Sequence, residues 1–124
     1  MILGIGIDLV TIMEIQNQID EIDGYVHEVF TPHEIEYCQS RPNPYCSFAA
    51  RFAAKEAFMK AAGTGWTDEI DFLEIEVFND GVSRPTMHLS EKAIAALKHL
   101  GSFSMHVSLS HTESLATAVV MLDQ

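Results

Sequence analysis

The segment RFAAKEAFMKAAGTG, residues 51–65, reads as the end of a helix that has no solvated face. On a helical wheel at about 100° per residue, Phe52 and Lys60 lie about 40° to either side of Glu56, Ala49 and Gly63 about 20°, and Ala53 and Met59 about 60°. The opposite side carries Ala50, Ala54, Phe58 and Ala61. A helix that is apolar almost all round has to be enclosed, so the rest of the chain is expected to fold around this one. Ser47 is placed to cap it, and it is predicted to run to about Ala62 and close at Gly63. Arg51 and Lys55 occupy the narrow remaining side and are expected to lead out to solvent or to an anion.

Glu56 and Lys60 are out of place on such a helix. The plain reading is an i, i+4 ion pair, which contributes about 0.2–0.5 kcal/mol on an exposed surface. Taking both ions into a dry interior costs on the order of several kcal/mol each, which favours a cavity that holds a ligand or a metal. The first strand offers one. Over residues 2–10, Leu3, Ile5, Ile7 and Leu9 alternate with Gly4, Gly6 and Asp8, so one face is bare as far as Asp8. The bare face suits tight packing on a helix or close approach of a phosphate. If this strand lies against the long helix, Asp8 and Glu56 converge, and two carboxylates beside phosphate oxygens suit Mg²⁺.

The remaining segments supply a frame. Ile12, Ile15, Ile19 and Ile22 have helical spacing up to Gly24, and Thr31, Pro32 and Glu34 open a short helix over about 32–40. RPNP breaks the chain. DFLEIEVFNDG alternates as a strand, Asn79, Asp80 and Gly81 make a turn, and a return strand follows near Met87. Ser90 and Glu91 open a helix to about Leu100, stopped by Gly101. Two strands, 103–110 and 115–122, close the chain. In the first of them His106, Ser108 and Ser110 share one face, as in an ordinary half-exposed strand, though the three would also suit phosphate oxygens. The interleaving predicts an α+β fold, a small antiparallel sheet packed on a long central helix, in a single domain over residues 1–124.

Charge narrows the function. The net charge of −11 disfavours nucleic acid and anionic membrane. Residues 1–40 hold eight Asp and Glu and no Lys or Arg. The opening MILGIGIDLVTIM lacks a basic leader and is too short to span a bilayer, so neither signal peptide nor anchor is expected and the cytoplasm is the expected compartment. Cys38 and Cys46 match no zinc spacing and are expected to be free thiols. No Gly-x-Ser-x-Gly and no GxxxxGK[ST] is present, which leaves a hydrolase triad or phosphate loop without support.

Taken in order, GIGIDLV (4–10), FTPHEIEYC (30–38), RFAAKEAFMKAAGTG (51–65), FNDGVSRP (78–85) and HVSLSH (106–111) resemble the holo-acyl-carrier-protein synthases, the small 4'-phosphopantetheinyl transferases of lipid metabolism and fatty acid biosynthesis. FTPHEIEYCQSRPNP is also similar to the transferase domain of fungal fatty acid synthases. The resemblance implies an enzyme that moves the phosphopantetheine arm of coenzyme A to a serine of an apo acyl carrier protein or carrier domain, releasing adenosine 3',5'-bisphosphate. Asp8 and Glu56 would hold Mg²⁺, Glu56 would take the serine proton directly or through water, and Lys60 would neutralise charge on the pyrophosphate. Arg51, His106 and Ser108 would contact coenzyme A, with Gly63, Thr64 and Pro85 shaping the pocket. A homotrimer with interface sites is also implied.

One departure stands out. Family members commonly carry an arginine just after the first strand, on a basic helix that docks the acidic carrier. Here the stretch is TIMEIQNQIDEIDG, with Glu14 near that place. Like charges juxtaposed across an interface are costly, so the expected carrier is less acidic than usual or is docked through apolar contacts. The competing expectation is a catalytically silent coenzyme A-binding or scaffold protein of the same fold.

Overall fold

The computed structural model describes residues 1–79 and 84–124. Its elements run β1 (Ile2–Thr11), α1 (Ile12–Glu21), α2 (Tyr25–Val29), α3 (Pro32–Gln39), α4 (Pro44–Ala62), β2 (Ile75–Asn79), β3 (Pro85–Leu89), α5 (Glu91–Ala96), β4 (Ser104–His111) and β5 (Leu115–Asp123). β1, β5 and β4 form an antiparallel sheet in that order, and β2 pairs with β3 in a second, two-stranded one. α4 crosses the inner face of the first sheet with most of its length buried. The architecture is therefore the expected α+β one, with a small antiparallel sheet on a long central helix.

The bare face of β1 is the one that meets α4. A Cβ on Gly4 would collide with the backbone carbonyl of Ala61, and one on Gly6 with that of Ala57. Helix and strand backbones touch directly, and no other residue type fits there. The apolar face consequently points away from the core: Ile5, Ile7 and Leu9 are 60, 63 and 62% exposed. Leu3 does not share that face as its spacing suggests. The ladder shifts register between Ile2 and Gly4, and Leu3 packs against the core.

Three boundaries differ from expectation. α4 starts at Pro44, capped by Asn43, whose side-chain oxygen accepts from the Cys46 N–H at 3.4 Å, so Ser47 lies inside the helix. Proline at the first helical position loses no hydrogen bond there, which lets the helix begin a turn early. Phe72–Glu74 is a 3₁₀ turn, initiated by Asp71 accepting from the Phe72 N–H, and the strand begins only at Ile75. The helix from Glu91 is regular only to Ala96 and tightens into a 3₁₀ turn at Lys98–Leu100. The turn expected at Asn79, Asp80 and Gly81 falls, beyond Asn79, outside the described residues. The capping box at Thr31 and Glu34 is present.

Candidate functional site

Because β1 rests on α4 without intervening side chains, the last polar residue on its inner face is delivered to the helix surface. Lys60 donates to Asp8 Oδ1 at 3.2 Å and to the Ile7 carbonyl at 2.9 Å. Glu56 and Lys60 form no ion pair with one another; the lysine bridges to the strand, because β1 brings Asp8 to the same helix face. Nor is the pair enclosed, since the Lys60 side chain is 54% exposed. Glu56 is half-buried and hydrogen-bonds to no described residue. Burial and the neighbouring Asp8 both push its carboxyl above the ordinary range, and Lys60 pulls the other way. Asp8 Oδ2 is buried without a partner.

Two carboxylates and one ammonium thus share a spot that carries excess negative charge and an unused acceptor. An orphaned carboxylate oxygen beside a second carboxylate is a fit for a hard divalent cation, which takes oxygen ligands and completes its shell with water or phosphate. Among the described residues no group of three or more His, Cys, Asp or Glu could hold a metal ion, so the protein's share would be Asp8 and Glu56 alone. α4 ends beside this spot. Gly63 takes φ 74°, which lets its N–H bond the Lys60 carbonyl at 3.1 Å and places Thr64 just beyond.

The other expected site residues lie elsewhere. Arg51, Pro85, His106 and Ser108 line a cavity of about 760 Å³. Arg41 and Arg84 line it too, so three of the seven basic residues of an acidic chain converge there. Asp8, Glu56, Lys60, Gly63 and Thr64 do not line it. Cross-strand neighbours share a sheet face, and His106 and Ser108 stand opposite Met121 and Val119, which in turn stand opposite Ile5 and Ile7. They belong to the outer face, whereas Asp8, opposite Ala118, belongs to the inner one. One chain does not bring its two groups of candidate residues together.

Arg51 and Lys55 are not a route to solvent. Arg51 is 3% exposed, lies over the Tyr37 ring at 4.3 Å and donates to the Asn79 side chain. Lys55 is fully buried and donates to Glu34 Oε1 at 2.7 Å, the Val29 carbonyl at 2.7 Å and the Phe72 carbonyl at 2.8 Å. Burial pushes its pKa down and Glu34 pulls it up. The side of α4 that looked narrow and polar is covered by α3 and β2. Sequence reasoning also missed Tyr37, Arg41 and Arg84 at the cavity. The concentration of basic residues after residue 40 was a usable signal for the two arginines; Tyr37 had none.

The chain matches known proteins over nearly its whole length. Residues 4–120 match the model of the 4'-phosphopantetheinyl transferase superfamily. A holo-[acyl-carrier-protein] synthase of Koribacter versatilis is 45% identical over 124 residues, covering 99% of each chain. The crystal structure of the Neisseria meningitidis holo-[acyl-carrier-protein] synthase superposes with TM-score 0.90 at 30% identity, covering 100% of both chains. The Bacillus anthracis holo-(acyl-carrier-protein) synthase in complex with CoA (3',5'-ADP) gives TM-score 0.83 at 33% identity, over 100% of this chain and 98% of that one.

Proposed function

Since the chain belongs to the 4'-phosphopantetheinyl transferase superfamily, among the holo-[acyl-carrier-protein] synthases, we propose that Asp8, Glu56 and Lys60 carry a Mg²⁺-dependent transfer of phosphopantetheine from coenzyme A to a carrier serine. The observation behind it is their convergence on one spot with Asp8 Oδ2 unpartnered. Asp8 and Glu56 hold the metal, which supplies positive charge to the pyrophosphate when bound. Glu56, its proton affinity raised by burial and by Asp8, accepts the serine proton directly or through one water. The serine oxygen forms a bond to the phosphorus that carries the pantetheine. The bond from that phosphorus to the bridging oxygen breaks, and adenosine 3',5'-bisphosphate leaves. Lys60 offsets the charge that builds on it. Arg51, His106 and Ser108, with Gly63, Thr64 and Pro85 shaping the pocket, hold the coenzyme A. The Bacillus anthracis relative's complex with CoA (3',5'-ADP) is consistent with that donor and product.

A homotrimer completes this reading. Asp8, Glu56 and Lys60 of one protomer meet the arginine-lined cavity of the next, and the outward stripe of Ile5, Ile7, Leu9 and Val119 supplies apolar surface for the contact. Head-to-tail interfaces close into rings where the rotation between copies brings the last protomer back to the first. Residues 1–124 act as one transferase domain, placed in the cytoplasm; no helix among the described residues is long and apolar enough to cross a membrane. The partner is an apo carrier. Glu14, Asp20, Glu21, Asp23 and Glu28 are all exposed on or beside α1 and α2, so the carrier's docking surface is neutral or basic, or apolar.

Incubation with coenzyme A, Mg²⁺ and a panel of apo carriers of graded charge tests the reading. A mass gain of roughly 340 Da on the less acidic carriers is the expected result, the size of the transferred arm. Coenzyme A binding by calorimetry without transfer to any carrier would favour a silent coenzyme A-binding protein instead.

A further inference from the structure

Arg41 and Arg51 reach the cavity from different elements and meet on a single aromatic ring. The Arg51 guanidinium carbon lies 4.3 Å from the centroid of the Tyr37 ring, and that of Arg41 lies 5.6 Å from it. Both distances fall within the roughly 6 Å over which the negative face of a ring attracts a cation. All three residues line the cavity. The two cationic carbons are thus no farther apart than those distances laid end to end, and like charges that close repel. A doubly charged anion that bridges them turns the repulsion into attraction.

The two arginines are held differently. Arg51 donates to the Asn79 side chain and to the Ser47 carbonyl at 3.4 Å, and its Nε is buried without a partner among the described residues. Arg41 lies beyond the end of α3 and is exposed, so the ring is what steadies its guanidinium. Tyr37 itself is fixed from within. Glu34, one turn earlier on α3, is fully buried and accepts at 2.7 Å from Lys55, which follows Arg51 by one turn on α4. Its other oxygen accepts from the Val77 N–H at 2.8 Å, two residues before Asn79 in β2. These bonds tie α3, α4 and β2 together one turn in from the cavity, and they hold ring, Asn79 and Arg51 in a set relation.

We propose that Tyr37 is a positioning residue: its ring face holds Arg41 beside Arg51, and the pair receives the phosphomonoester of coenzyme A. The proposal rests on the reading of coenzyme A as the donor held in this cavity. That reading gives the pyrophosphate of coenzyme A to Asp8, Glu56, Lys60 and their metal, which leaves the phosphomonoester for the arginines. Such a group carries about −1.5 to −2 charge at neutral pH, and its oxygens suit the paired donors of guanidinium groups. A long exposed side chain loses rotamer freedom when it binds; stacked on Tyr37, Arg41 has lost it beforehand. Tyr37 acts through Arg41 on affinity for one group of the substrate, not on the chemical step.

Calorimetric titration of the whole protein with coenzyme A and with dephospho-coenzyme A, which lacks that phosphate, tests it. The wild-type protein is expected to prefer coenzyme A by about tenfold or more, as hydrogen bonds to a charged group imply. Tyr37→Leu removes the ring face and should cut that preference at least about threefold, with dephospho-coenzyme A still bound within about twofold of the wild-type affinity. Tyr37→Phe keeps the face and should restore the preference. Tyr37→Met fills the space with a flexible chain and carries the same expectation as Tyr37→Leu, should the latter fail to fold. Equal weakening of both ligands in the variants without a ring overturns the proposal, because the ring then only supports the cavity wall. An unchanged preference overturns it too, as does Tyr37→Phe behaving like Tyr37→Leu. Wild-type protein that binds both ligands equally overturns the proposal and leaves the reading of the donor standing; binding of neither overturns both.

Discussion

Glu56 is less stable as an anion in the folded protein than in the unfolded chain, because burial and Asp8 both raise its carboxyl pKa. The sign of its effect on stability follows. A carboxyl whose folded pKa is raised favours folding fully below its unfolded value, roughly 4.3, and that contribution is lost as pH rises through the raised value. Glu56→Gln is therefore expected to raise the melting temperature at neutral pH in metal-free buffer and to abolish transfer. The gain should fade as pH drops towards the ordinary glutamate range; thermal melts across that range check it. Asp8→Asn should likewise abolish transfer while the protein stays folded by circular dichroism. A stabilised, inactive Glu56→Gln is what a group selected for chemistry rather than for folding would show.

At the scale of elements, the contact between β1 and α4 delivers Asp8 to the helix. Gly6→Ala would force a methyl group into the Ala57 carbonyl. Overpacking of this kind costs about 1–3 kcal/mol, and because the strand has to move, transfer is expected to fall further than stability alone explains; urea unfolding beside an activity assay separates the two. The other tie is the buried pair of Lys55 and Glu34, each at 0% side-chain exposure. Lys55→Met would leave Glu34 buried and short of its cation, at a cost of about 3–5 kcal/mol, read as a drop in the urea midpoint. These elements were legible in the sequence to different degrees. The bare face of β1, the enclosure of α4 and the capping box at Thr31 follow from side-chain periodicity and local hydrogen bonding. The partners of Arg51 and Lys55 do not, since Asn79 is 28 residues from Arg51 and Glu34 is 21 from Lys55, and a helical wheel cannot show what tertiary packing lays over its polar side. For the same reason Lys60 could be placed on the face of Glu56 but not paired with Asp8 in preference to it.

At the scale of the molecule, the carboxylates of β1 and α4 lie at one edge of the three-stranded sheet and the arginine-lined cavity at the other, beside β4. The motifs singled out Asp8, Glu56, Lys60, Arg51, His106 and Ser108 as candidates, yet not their division into two groups, because strand pairing decides which edge and face of the sheet each occupies. In the proposed trimer the two groups meet between copies. This division gives the account its most direct test: mixing two inactive variants, Glu56→Gln and His106→Ala, after subunit exchange. In a ring whose sites are shared between neighbours, random assembly rebuilds wild-type sites at about one interface in four. Activity is expected to return to about a quarter of that of the wild-type protein, with sedimentation showing a trimer. A mixture as inactive as its components, together with an active wild-type monomer, would contradict it.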